Sequence, residues 1–105
     1  MTEHRLEAMI EQAARVICDP SRDLRLLPQH LAQDWPEAPA LELALALASS
    51  ADAAQSFFAA DSQSYHRAAH VWRHAAMIGV ELHHLTLQGL PAQTAGDLLA
   101  HWRHE

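Results

Sequence analysis

The chain has 105 residues, half of them apolar, which fits one domain with a real core. Its formal charge is −6, and its seven basic residues are all arginine, scattered from Arg5 to Arg103. That balance argues against a nucleic-acid surface, which needs clustered positive charge. The absence of lysine removes Schiff-base chemistry and a phosphate-loop lysine. Cys18 is the only cysteine, so no intrachain disulfide or zinc-finger spacing exists, which suits a reducing cytosol. The opening residues are polar and amphipathic rather than a signal core, and the apolar run Leu43–Ala48 is far too short to span a bilayer. The expectation is a cytoplasmic protein with neither a nucleic-acid nor a membrane partner.

Four helices are predicted in chain order. The first covers about 2–18: Leu6, Met9, Ile10, Ala13, Val16 and Ile17 recur at three- and four-residue spacing. Glu11 and Arg15 form a favourable i,i+4 pair on its other side, and Pro20 ends it. Residues 19–37 carry Pro20, Pro28 and Pro36, yet Leu24, Leu26, Leu27, Leu31 and Trp35 are too apolar for a free linker. This stretch reads as an irregular packed connection with one or two short helical turns.

The second helix covers about 38–60, with Asp34 and Glu37 spaced as a capping box before it. It is apolar on nearly every side, which predicts a central position or several partners. Asp61, Ser62 and Ser64 supply the next cap, and the third helix covers about 64–88. Its predicted core side is wide: Tyr65, Ala68, Ala69, Val71, Trp72, Ala75, Ala76, Ile78, Gly79, Leu82 and Leu85. Gly89 is placed to end it in a left-handed turn, and Pro91 follows. The fourth helix covers about 92–103, with Thr94 and Asp97 as its cap. No strand alternation or repeat is found. The predicted fold is an all-α, single-domain bundle of about four helices. Its alanine-rich composition favours a homodimer that completes a thin core.

Nine histidines are the unusual feature, five of them on the third helix. His66, His70 and His74 share one stripe at i,i+4 spacing, which reads as a solvated face or as part of an iron or zinc site. Glu81 and His84 have the Glu-x-x-His spacing. With residue 42 opposite residue 81 in an antiparallel hairpin, Glu42 joins them. This trio resembles half of a ferritin-like di-iron site, which a two-fold dimer would complete. Arg67-Ala-Ala-His70-Val-Trp-Arg73-His74 with Gly79 resembles the phosphorylatable helix of histidine phosphotransfer domains, and the resemblance implies His70 as phospho-acceptor. Arg73 and His74 stand where that family has lysine and glycine. Tyr65, Ala68, Trp72 and Ala75 have the spacing of a tetratricopeptide-repeat helix, a sign of close helix packing.

No nucleophile elbow, catalytic triad or glycine-rich phosphate loop is present in the sequence. The leading expectation is a non-enzymatic helical protein–protein interaction module that requires no cofactor and self-associates. Its candidate contacts are the apolar second helix and Trp72, Trp102 and Trp35. The metal-binding and phosphotransfer readings stand behind it.

Overall fold

A computed structural model describes residues 2–103. Among them run five α-helices: α1 (Thr2–Ile17), α2 (Leu27–Asp34), α3 (Ala40–Phe57), α4 (Gln63–Leu87) and α5 (Ala95–Arg103). A single 3-10 turn, Leu24–Leu26, leads into α2. No strand occurs among the described residues, and Pro39 and Thr94 form an isolated antiparallel bridge. The all-α class is as read from the sequence. The count of about four helices is corrected to five, because the proline-punctuated connection folds into α2.

The local chemistry of that connection explains α2. Asp23 accepts the Arg25 backbone N–H at 2.9 Å and starts the 3-10 turn. Pro28 sits in the first turn of α2, where its missing N–H costs nothing. Leu27, Leu31 and Ala32 then point into the core at helical spacing.

The expected Asp34–Glu37 capping box does not form. Asp34 instead accepts from the Gln12 side chain of α1 at 3.0 Å. The start of α3 is held by backbone pairing with the segment before α5. Ala40 N–H donates to Gln93 O at 2.9 Å, Ala95 N–H to Ala38 O at 2.8 Å, and Gly96 N–H to Pro36 O at 2.8 Å. The approach is close at Gly96, where an added Cβ would lie 3.1 Å from Pro36 O. This pairing also moves the start of α5 from the expected 92 to Ala95.

The other caps match the sequence signals. Ser62 Oγ accepts the Tyr65 N–H at 3.2 Å and opens α4. Thr94 and Asp97 form a reciprocal box: Asp97 N–H donates to Thr94 Oγ1 at 3.2 Å, and Thr94 N–H donates to Asp97 Oδ2 at 3.0 Å. After α4, Gly89 takes a φ of 73°. Gly89 N–H then reaches Thr86 O at 3.1 Å and Leu90 N–H reaches Leu85 O at 3.0 Å, the paired bonds of a Schellman end.

Alanine is the commonest residue in the buried core. Larger anchors come from every helix: Met9 and Ile17 on α1, Leu27 and Leu31 on α2, Leu43 and Leu47 on α3, Ile78 and Leu85 on α4, and Leu98 on α5. Helix α3 packs against all four others, most extensively against α4 and then α1, as its nearly all-apolar sequence predicts. Its one buried polar side chain, Ser50, donates to Leu47 O at 2.8 Å. No helix among the described residues is long and apolar enough to cross a membrane.

Candidate functional site

Helix α4 buries a narrower stripe than its sequence suggests. Ala68, Val71, Ala75, Ile78, Leu82 and Leu85 are buried. Ala69, Trp72 and Ala76 are exposed, and Tyr65 and Gly79 are only partly covered. Helix α3 is the main cover for α4, and one helix shields only a limited arc of its neighbour. The two uncovered flanks of α4 differ in chemistry.

At 100° per residue, Trp72, Ala76, Gly79, Val80, His83 and Leu87 fall on one flank. The Trp72 indole N–H donates to Gln55 of α3 at 2.9 Å, so this flank borders α3. The outer arc of α3 continues it with Leu41, Leu45, Ala48 and Asp52. Exposure is high for side chains of this kind: Leu41 65%, Leu45 50%, Val80 59%, Leu87 73% and Trp72 39%. Scattered single hydrophobes on a surface are ordinary, but a contiguous group on two packed helices marks a contact surface. Among the described residues, Asp52 is its only carboxylate.

The opposite flank carries the histidine stripe. His66 and His70 are exposed, and His74 is half-buried. The three do not converge on one point. Leu24, Arg25, His70, Arg73 and His74 line a cavity of about 340 Å³ between α4 and the 3-10 turn. Burial lowers the His74 pKa from its usual value, and the nearby His70 and then Arg73 add to this, while the Leu24 backbone opposes it.

Glu42, Glu81 and His84 have separate neighbours. Glu42 turns toward α1, where Arg5 Nη2 lies 2.6 Å from its Oε2. Glu81 turns toward α5, accepting the Trp102 indole N–H at 2.6 Å with His101 at 3.9 Å. His84 is exposed. Among the described residues, no group of three His, Cys, Asp or Glu side chains is gathered as a metal-ligand set.

Of the three tryptophans proposed as contacts, only Trp72 is exposed. Trp102 is half-buried and held by Glu81, and Trp35 is half-buried against the core at the end of α2. The second predicted helix, which carries Leu41 and Leu45, was expected to make contacts, but sequence reasoning passed over Val80 and Leu87 of α4. The available signal was an apolar arc on α3 and α4 wider than one neighbouring helix can cover.

It also missed Arg67. This guanidinium donates to four backbone carbonyls at the end of α1: Ile17 O at 2.8 Å, Val16 O at 2.6 Å, Asp19 O at 2.9 Å and Arg22 O at 3.0 Å. Cys18 beside it is a free, exposed thiol.

The chain matches no protein-family model, no curated protein and no solved structure.

Proposed function

We propose that this protein is a non-enzymatic helical module that works by protein–protein contact through the apolar flank of α3 and α4. The observation that carries the reading is the exposure of Leu41, Leu45, Trp72, Val80 and Leu87 on one face with a single carboxylate. Large aromatic and aliphatic side chains of this kind anchor interfaces, and depletion of charge is the compositional mark of an interface centre. The test is a photo-reactive amino acid placed at Val80 or Leu41 in living cells, with Met77 on the far flank as control. The reading predicts protein adducts from Val80 and Leu41 and few from Met77. Equal labelling from all three positions, or none, would refute it.

A second reading, phosphoryl acceptance by His70, draws on one observation: His70 is exposed mid-helix and shares a cavity with Arg25 and Arg73. Arginine pairs well with a phosphoryl group. Phosphorus NMR after incubation with acetyl phosphate tests it. The reading predicts a phosphoramidate signal that His70→Gln removes, and no signal from the intact chain would end it.

A further inference from the structure

We propose that the occupant of the apolar flank is a second copy of this chain, packed about a two-fold axis that passes close to Gly79. This rests on the reading of that flank as a protein contact and adds what covers it.

The first argument is area. Leu41, Leu45, Trp72, Val80 and Leu87 are 39–73% exposed, on the order of 500–600 Å² together, against about 600–1,000 Å² per partner in a standard interface. With Ala48, Ala76 and His83 around them, each face comes to about 600–750 Å², within the lower part of that range. The second argument is charge. A two-fold contact sets one patch against the same patch on the other copy, so like charges in it would meet. The chain carries a formal charge of −6, yet Asp52 is the only carboxylate on this flank among the described residues.

The third argument is Gly79. It lies inside α4, and a Cβ added there meets nothing within 4 Å. Glycine is the poorest helix former after proline, and no close approach among the described residues calls for the missing side chain. A crossing helix does, because small residues let two helix backbones approach closely. Trp72 on one side of Gly79, and Val80 and Leu87 on the other, then fill the space flanking the crossing.

The experiment is sedimentation equilibrium of the tag-free chain from about 5 to 500 µM, a range over which mass action separates monomer from dimer. It compares the parent with Val80→Glu, Gly79→Leu and the control Met77→Glu, each checked for folding by circular dichroism. The proposal predicts a reversible dimer whose Kd rises at least ~tenfold in Val80→Glu and in Gly79→Leu, and stays unchanged in Met77→Glu. If Val80→Glu fails to fold, Gly79→Leu carries the test, with Gly79→Ala beside it, since a Cβ at that position meets nothing within 4 Å in the monomer. A monomer at every concentration, or a dimer indifferent to both substitutions, would overturn the proposal. For a monomeric chain, photo-adducts at Val80 to a protein of different mass would leave the interaction reading standing and remove only the second copy. Absence of adducts would remove both.

Discussion

Replacing Arg67 with alanine tests the reasoning about how α1 is held to α4. A helix ends with carbonyls that lack intrahelical partners; at the end of α1 these include Ile17 O and Val16 O, the latter also accepting the Asp19 N–H of the loop at 3.2 Å. Arg67 satisfies both and also reaches Asp19 O and Arg22 O in the loop that follows. Its positive charge complements the negative end of the helix dipole.

Hydrogen bonds to a charged donor contribute about 1.5–3 kcal/mol each. Arg22 O lies toward solvent, where water replaces Arg67 at little cost, and the part-buried Asp19 O keeps the Arg22 N–H at 3.0 Å as its donor. The two helix-end bonds, at the lower figure, give a loss of about 3 kcal/mol for Arg67→Ala. For a domain of this size that corresponds to a fall in Tm of roughly 12–20 °C. Arg67→Lys keeps the charge but loses the fork that spans several carbonyls, and should recover about half of the loss. Urea denaturation at low protein concentration measures both variants without a contribution from self-association. A loss below about 1 kcal/mol in Arg67→Ala would refute the reasoning, since surface ion contacts alone reach that value.

Leu47→Ala opens a cavity among fully buried side chains and should cost ~2–5 kcal/mol, whereas Leu41→Ala on the exposed flank should change monomer stability by less than about 0.5 kcal/mol; thermal unfolding of dilute protein compares them. Asp97→Ala removes the acceptor for the Gln93 and Thr94 N–H groups and should cost about 1 kcal/mol in the same assay. The lowered pKa of His74 means that the unfolded chain takes up its proton first as pH falls. Its contribution to stability is therefore fully present above the usual histidine value of 6.5 and is lost as pH drops from there toward the lower folded value. Unfolding measured between about pH 5 and 8 should show this slope in the parent and a shallower one in His74→Gln, and identical slopes would contradict the assignment.

Much of the architecture was legible because helix ends carry local chemistry. The Ser62 cap, the Thr94–Asp97 box and the left-handed Gly89 each depend on residues within a few positions of one another, and each formed as read. The Asp34–Glu37 box had the same local form but lost to a long-range pairing of residues 36–40 with 93–96, which no short spacing announces. Helix α2 was obscured by the prolines in and around it, although Pro28 stands where a helix tolerates one.

The surface was less legible for a geometric reason. An apolar stripe on a helical wheel gives the arc able to be buried, not the arc that a neighbour reaches. Ala76 and Gly79 were read as core, and Trp72 both as core and as a contact; only the packing of α3 against α4 shows them at or beyond its edge. The Glu42–Glu81 pairing paired residues across the hairpin without fixing direction. Arg5 draws Glu42 toward α1, and Trp102 draws Glu81 toward α5.

The most direct measurement of the central claim is carbene footprinting, read residue by residue, on dilute purified protein and on the same chain inside cells. The account predicts strong labelling of Leu41, Leu45, Val80 and Leu87 in the dilute sample and marked protection of those four in the cell, with Met77 labelled equally in both. Labelling of the four that stays as strong in the cell as in dilute solution would mean that nothing covers this flank where the protein works, and would contradict the account.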